Sequence, residues 1–222
     1  LRKNEEIKKQ ACLSGRQGNK NDSSFPRFLG SSFLLHGITG SGKTEIYLQL
    51  IKKNVQENRQ TVLLVPEIAL TTELIQYFSA HFPDQISIIH SRLTDRERIQ
   101  SWHRIHQGKT KLILGSRSAL FTPWKNLGAI IIDEEHEWNY KQEQSPRYHA
   151  KTVAEQIVSR MAGHDPAVET RLIASLQRPG PILVLGSATP SIESYYQARW
   201  GDEISPVETQ DLASLPYAAA TR

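Results

Sequence analysis

Short apolar runs rich in β-branched residues, the composition of buried strands, alternate along the chain with longer stretches that have the period of amphipathic helices. Six strands are predicted, at 33–38, 61–66, 86–91, 111–116, 129–135 and 182–188. Five helices are predicted, at 43–57, 71–81, 95–107, 149–162 and 191–199. At the start of the third helix, Thr94 and Glu97 have the spacing of a capping box. This alternation is typical of a parallel sheet flanked by helices, so we expect an α/β fold.

Three segments fall outside the alternation. Residues 1–30 are rich in Gly, Asn, Ser and Lys, and we expect them to form a flexible basic segment before the main domain at 31–200. Within that domain, residues 163–181 carry three prolines and are predicted to be an inserted loop. Residues 201–222 show no clear period, which predicts a loose C-terminal tail.

The composition is that of an ordinary globular chain without an export signal. Its 222 residues, 38% of them hydrophobic, are enough for a packed core. The single cysteine, Cys12, excludes a disulfide framework and a multi-cysteine zinc site within this chain. The N-terminus is charged where a signal peptide would be apolar, and no apolar run is long enough to span a bilayer. We therefore expect a cytoplasmic protein with no membrane partner.

The net charge of +4 is unevenly placed. The first 30 residues hold seven Lys and Arg against three Asp and Glu, and the rest of the chain holds twenty of each sign. Because residues 31–222 together are neutral, the overall charge supports a nucleic-acid partner only through the basic N-terminal segment.

The stretch "LLHGITGSGKTEIYL" contains Gly37, Gly42, Lys43 and Thr44 at the spacing G-x-x-x-x-G-K-[ST], between a predicted strand and a predicted helix. Glycines let a phosphate chain approach successive backbone amides, and the following helix directs its positive end at the same anion. The lysine would then contact the β- and γ-phosphates, and the Thr44 hydroxyl would be a Mg²⁺ ligand. The alternative is a glycine-rich connection that binds nothing, but the position between strand and helix favours an ATP and Mg²⁺ site. The predicted nucleotide-binding residues are Gly37, Ile38, Thr39, Gly40, Ser41, Gly42, Lys43, Thr44 and Glu45.

The stretch "IIIDEEH" at 130–136 is an apolar strand that ends in acids, at the edge of the sheet where open α/β folds bind ligands. In this interpretation Asp133 holds Mg²⁺, and Glu134 orients and deprotonates the attacking water. The alternative is a charged strand end that faces solvent. The phosphate loop makes the catalytic interpretation the stronger one.

Five segments occur together in a recognisable order: "GITGSGKTEIYL", "VPEIALT", "GSRSALFTPW", "IIDEEHEWNYKQEQSPRYHAK" and "LGSATPSIES". Over residues 31–200 they resemble the first RecA-like lobe of the PriA family, the primosomal replication-restart helicases of DEAH-type superfamily 2. The signatures "DEEH" and "GSAT" alone would indicate only the superfamily, and the segment "YKQEQSPRYHA" narrows the resemblance to the PriA family.

The resemblance implies a RecA-like P-loop NTPase fold and ATP-dependent, three-prime to five-prime DNA unwinding in replication restart and primosome assembly. It implies a catalytic role for His136 beside Lys43, Asp133 and Glu134. Partners would be single-stranded or forked DNA, a second RecA-like lobe, and primosome and replication proteins. The residues matching DNA-contact or coupling positions are Pro66, Glu67, Arg117, Trp138, Tyr140, Lys141, Arg147, Tyr148, His149, Ser187, Ala188 and Thr189.

The resemblance also implies an adenine-reading glutamine before the phosphate loop. Gln17 lies at about the right distance, although Arg16 replaces the acid of that motif and the helix that normally follows is missing from the pattern. Gln17 is therefore the predicted adenine contact in a divergent form of the motif.

Physical arguments leave two interpretations open for the aromatic segment, residues 138–149, which we expect to be irregular. Alternating aromatic and cationic residues suit base stacking and phosphate neutralisation, the sequence-tolerant terms of single-strand binding. Trp138 and Tyr140 could equally pack against the sheet edge, and Arg117 could be a surface or ion-paired residue.

Two other classes of function remain open at this point. One is a P-loop ATPase outside DNA metabolism, such as a nucleotide kinase. The other is a non-catalytic module that docks single strands or replication proteins. In the helicase interpretation, the 222 residues alone are expected to bind Mg·ATP but not to unwind DNA, because the second lobe supplies an arginine finger.

Overall fold

The computed structural model describes residues 32–161, 180–200 and 204–208. Within these ranges one sheet contains seven strands, all paired in parallel: β1 (Ser32–His36), β2 (Gln60–Leu64), β3 (Ile86–Ile89), β4 (Leu112–Gly115), β5 (Leu127–Asp133), β8 (Ile182–Ser187) and β9 (Ser205–Glu208). The strand order is β3-β4-β2-β5-β8-β1-β9. The intervening strands β6 (Lys141–Gln142) and β7 (Tyr148–His149) form a separate antiparallel hairpin. The parallel α/β fold predicted from the alternating pattern is confirmed.

The five predicted helices are present: α1 (Lys43–Gln56), α2 (Thr72–His81), α3 (Asp95–His106), α4 (Ala150–Met161) and α5 (Ile192–Trp200). Three short 3₁₀ helices lie in the connections, at Glu67–Ala69, Arg117–Phe121 and Trp138–Tyr140. The capping box at the start of α3 is confirmed, with the Glu97 amide donating to the Thr94 hydroxyl (3.3 Å) and the Thr94 amide donating to the Glu97 carboxylate (2.9 Å). Among helices in the described ranges, none combines the length and apolar character needed to cross a bilayer.

The core consists of two apolar layers, one on each side of the sheet. Alternate strand residues point to opposite faces, so Leu34 and Ile130 pack in one layer while Leu35 and Ile131 pack in the other. The first layer is covered by α3, α4 and α5, and the second by α1 and α2. β5 is buried on both faces, as expected for a central strand of a parallel sheet.

Three expectations need correction or lie outside the described residues. Residues 205–208, expected in a loose tail, form the edge strand β9 beside β1, and an edge position tolerates Pro206 because its missing amide is not needed by a further strand. The aromatic segment expected to be irregular contains the β6–β7 hairpin. Residues 1–30 and most of the predicted insertion at 163–181 lie outside the described residues.

Candidate nucleotide site and adjoining surface

The phosphate loop and the acid cluster follow two strands, β1 and β5, that are separated in the sheet only by β8. Backbone hydrogen bonds fasten both to the end of β8. The Gly37 amide donates to the Ser187 carbonyl (3.2 Å), and the Glu135 amide donates to the Gly186 carbonyl (3.0 Å). Parallel strands end at the same edge of a sheet, so the two motifs meet there.

The phosphate loop has an open concave side. Gly40 and Gly42 have left-handed backbones (φ 81° and 92°), and no atom lies within 4 Å of where a Cβ would stand at either position. Ile38 and Thr39 are exposed at the tip of the loop, and Ser41 closes it by donating its amide to the Ile38 carbonyl (3.1 Å). Helix α1 begins directly after Gly42 without a side-chain cap, which leaves its first amides available to an anion.

Lys43 links the loop to the acid cluster. Its side chain is only 8% exposed, and its Nζ donates to the Gly37 carbonyl (2.8 Å) and lies 3.8 Å from Glu134 Oε1. A nearly buried ammonium with one carbonyl and one distant carboxylate has donor capacity left for a phosphate. The two motifs predicted from the sequence therefore converge.

Asp133 ends β5 beside helix α1. The Tyr47 hydroxyl donates to its Oδ1 (2.9 Å). Burial raises the pKa of Asp133, and the Tyr47 hydrogen bond acts in the opposite direction by stabilising the charged form. A partly buried carboxylate hydrogen-bonded to the helix that carries Thr44 has the chemistry of a Mg²⁺ ligand, so these residues fit the metal that the phosphate loop implies.

Glu134 and His136 turn back toward β8. Glu134 has φ 48°, and the strand ends at Asp133, two residues earlier than the sequence pattern predicted. His136 Nδ1 lies 2.8 Å from the Ser187 hydroxyl and 3.7 Å from the Glu134 carboxylate. The Ser187 hydroxyl also accepts the Thr189 amide (3.0 Å), and the intervening Ala188 is half-buried. The acidic motif and the 187–189 motif thus form one hydrogen-bonded unit.

Glu135 points the other way, into the protein, and is 3% exposed. Its carboxylate accepts the Ser191 amide (2.6 Å) at the start of α5 and the Ser194 hydroxyl (3.0 Å). Lys151 Nζ donates to the same hydroxyl (2.6 Å) and lies 3.9 Å from Glu135 Oε2. Sequence reasoning missed this network because its members come from three separate segments and no local spacing connects them.

A cavity of about 220 Å³ lies beside the nucleotide site, between the ends of β2 and β4 and the 3₁₀ helix at 138–140. It is lined by Val65, Pro66, Glu67, Ser116, Arg117, Asn139 and Tyr140. The guanidinium of Arg117 donates to the carbonyls of Asn139 (2.6 Å) and Lys141 (2.8 Å), so this side chain fastens the aromatic segment. The structure thereby brings together predicted DNA-contact residues from three motifs.

The aromatic residues of the segment divide into buried and exposed ones. Tyr140 is 1% exposed, and its hydroxyl donates to the Asp133 carbonyl (2.6 Å) and approaches the Leu64 carbonyl (3.2 Å). Because Tyr140 and Ser187 are both buried, coupling rather than direct contact with a base stays the prediction for these two residues. Trp138 is 76% exposed and has a free ring face.

The remaining predicted residues lie on or near the hairpin. Lys141 and Arg147 are exposed, and Arg147 donates to the Glu143 carbonyl (3.1 Å). Tyr148 packs edge-on against Phe121, with ring centroids 5.0 Å apart. Burial lowers the pKa of the adjacent His149, with Lys151 adding to the effect. Gln17 lies outside the described residues.

Comparison with known proteins agrees with this geometry. The family model for "DEAD/DEAH box helicase" matches residues 20–198. Replication restart protein PriA of Bacillus subtilis is 47% identical over 169 residues, which are 76% of this chain and 19% of that protein. PriA of Chlamydia pneumoniae is 41% identical over 209 residues, which are 92% of this chain and 26% of that protein. The chain thus spans about a fifth to a quarter of the length of these curated relatives.

A solved structure supports the fold. The DUF1998 helicase MrfA aligns with 90% of this chain and 32% of its own, with a TM-score of 0.53 and 18% sequence identity. The predicted RecA-like fold and the resemblance to PriA are therefore both confirmed. The chain belongs to the DEAD/DEAH box helicase family, and it is similar in sequence to one part of replication restart protein PriA.

Proposed function

We propose that the chain is the ATP-binding lobe of a PriA-like, three-prime to five-prime DNA helicase that acts in replication restart and primosome assembly. The observation that carries the proposal is the approach of Lys43 Nζ to within 3.8 Å of Glu134, where the phosphate loop meets the strand-end acids. An acid at a solvent-facing strand end, 91 positions away in the sequence, would have no reason to meet a buried loop lysine. A triphosphate site explains the convergence.

ATP would bind with its phosphates in the loop from Gly37 to Thr44. The loop amides and the first turn of α1 would donate to phosphate oxygens, and Lys43, which donates to the Gly37 carbonyl, would donate to the terminal phosphates instead. Thr44 and Asp133 would hold Mg²⁺, which when bound neutralises charge on the transferring phosphoryl group. Gln17 is the proposed adenine contact.

Glu134 is the proposed general base for the attacking water. Its carboxylate is ion-paired with Lys43, and a phosphate that draws the ammonium away would release it. His136 would couple Glu134 to the 187–189 motif, because its two ring nitrogens contact the hydroxyls of Ser187 and Thr189 (2.8 and 3.4 Å). The site therefore connects hydrolysis to a second surface.

That second surface is the proposed DNA site. The exposed ring of Trp138 offers a stacking platform, and Lys141 and Arg147 offer cations for the backbone. Pro66, Glu67 and Arg117 line the adjoining cavity. DNA that moves the 138–141 turn would act on Asp133 through the buried Tyr140 hydroxyl, which is a direct path from strand binding to ATP turnover.

The first test is nucleotide binding by the Lys43→Ala variant. Titration with a fluorescent ATP analogue should show binding by the natural chain and none by the variant, because the ammonium is the main cation of the site. The matched control is Lys109→Ala, a lysine in the turn after α3 at the far edge of the sheet, which should bind as the natural chain does. Equal binding by all three chains would refute the phosphate-loop assignment.

The second test separates the helicase lobe from its alternatives. ATP turnover is compared with and without single-stranded DNA at two salt concentrations, since phosphate contacts weaken as salt rises. Stimulation by DNA that falls with salt is expected. A nucleotide kinase would ignore DNA and phosphorylate a small acceptor, and a docking module would bind DNA without using ATP; either result would contradict the proposal.

The 222 residues alone are expected to turn over ATP slowly and to leave a forked duplex intact. A second lobe supplies the arginine finger, which is worth about 10³–10⁵ in rate for related nucleotidases. A strand-displacement assay on a forked substrate checks this. Unwinding by these residues without a further lobe would contradict the expectation.

A further inference from the structure

Tyr47 is a buried tyrosine whose hydroxyl ends in the candidate site. It lies on α1, one turn after the phosphate loop, and its ring packs in the apolar layer with Leu35 and Ile51. The hydroxyl donates to Asp133 Oδ1 (2.9 Å), across 86 residues of sequence. A tyrosine hydroxyl carries its proton at neutral pH, so it is the donor of this pair and the carboxylate is the acceptor.

The backbone of β8 is shaped around this hydroxyl. Gly186 is paired with Asp133 in the sheet, and a Cβ on Gly186 would overlap the Tyr47 hydroxyl oxygen. The same Cβ would come within 3.4 Å of Asp133 Oδ1. Packing alone would be satisfied by a phenylalanine, so the hydroxyl and the space kept for it call for a further explanation.

We infer that Tyr47 is a positioning residue that fixes the Asp133 carboxylate for the metal of the nucleotide site. The inference rests on the proposed function. With Oδ1 held by the hydroxyl, the carboxylate cannot rotate freely, and Oδ2 remains for a metal. Groups that orient a metal-binding carboxylate typically contribute about 10- to 100-fold to metal affinity. Tyr47 touches neither the phosphates nor the water, and it acts only through Asp133.

The test measures how much Mg²⁺ adds to nucleotide binding. The chain is titrated with a fluorescent, non-hydrolysable ATP analogue, once in EDTA and once in saturating Mg²⁺. The dissociation constant in EDTA divided by the dissociation constant in Mg²⁺ gives the contribution of the metal. Tyr47→Phe should leave the EDTA value unchanged, because the loop and Lys43 are intact. It should reduce the ratio by about tenfold or more. Tyr196→Phe, which removes an exposed hydroxyl from α5, is the matched control and should keep the natural ratio.

A second variant approaches the same hydroxyl from the strand. Gly186→Ala should displace the Tyr47 hydroxyl and lower the same ratio, which keeps the inference testable if Tyr47→Phe is poorly folded. An unchanged ratio in a folded Tyr47→Phe chain overturns the inference and leaves the proposed function intact. The same holds if the variant loses affinity for the analogue equally in EDTA and in Mg²⁺. Failure of the natural chain to bind the analogue under either condition overturns both.

Discussion

Trp138 and Tyr140 show how differently two aromatic residues of one short segment are used. Trp138 presents its ring to solvent, and Tyr140 is buried with its hydroxyl on the Asp133 and Leu64 carbonyls. Trp138→Ala should leave the free energy of unfolding within about 0.5 kcal/mol of the natural value. It should weaken single-strand binding by about 1–3 kcal/mol through the lost stacking. Fluorescence anisotropy with labelled oligonucleotide and urea unfolding together check this.

Tyr140→Phe should show the opposite pattern. Two buried carbonyls lose their hydroxyl partner, so the free energy of unfolding should fall by about 1–3 kcal/mol in urea titrations. DNA stimulation of ATP turnover should fall more than DNA affinity, because the ring has no free face for a base. A variant that keeps full stability and full stimulation would show that the Tyr140 hydroxyl neither stabilises the fold nor couples DNA binding to ATP turnover.

His149 gives the lobe a measurable acid sensitivity. Burial lowers the pKa of His149 in the folded chain from its usual 6.5, so the unfolded chain takes up the proton more readily. The contribution of His149 to stability is therefore present above pH 6.5 and is lost as the pH falls below it. His149→Gln should lose less stability than the natural chain between pH 7.5 and pH 5.5, as measured by urea unfolding at each pH. Identical pH dependence in the two chains would contradict this assignment.

At the scale of elements, the Glu135 network joins β5, α4 and α5. Glu135→Ala would leave Lys151 buried without its carboxylate, and breaking a buried pair on one side typically costs about 3–5 kcal/mol. We expect a loss of that size in urea unfolding. Replacing both residues by apolar ones, as in Glu135→Leu with Lys151→Met, should recover much of it.

An exposed ion pair provides the control for the buried one. Lys141 and Glu143 lie 3.7 Å apart on the surface, where such pairs contribute about 0–1 kcal/mol. Glu143→Ala should therefore change stability little. If the Glu135 and Glu143 variants lose the same amount, the buried network has no special part in holding α5.

The sequence allowed most elements to be predicted because their signals are local. Apolar runs and helical periods located six strands and five helices, and the capping box needed only Thr94 and Glu97. β9 was missed because a four-residue edge strand containing Pro206 has almost no period of its own, and its pairing with β1 supplies what the pattern lacks. The β6–β7 hairpin was missed for the same reason, since two residues per strand carry no alternation.

At the scale of the whole molecule, the site could be predicted where its functional residues lie close together in the sequence. The loop from Gly37 to Thr44 and the acids at 133–134 could be assigned from spacing and from their strand context. The residues that hold these acids in place could not be predicted. Tyr47 and Gly186 come close to Asp133, and Lys151 comes close to Glu135, only through folding. The exposure of side chains was equally hidden, and for this reason packing and contact with a base were both left open for Tyr140, which is buried.

The central claim is that the phosphate loop and the strand-end acids enclose one metal-bound triphosphate. The most direct measurement is paramagnetic broadening of amide resonances in the isotope-labelled chain when Mn²⁺ and a non-hydrolysable ATP analogue are added, with Mg²⁺ as the diamagnetic reference. The account predicts simultaneous loss of the amide signals of residues 40–45 and 133–135, while α3 at 95–106 keeps its intensity. Broadening of only one of the two motifs, or of neither, would contradict the claim.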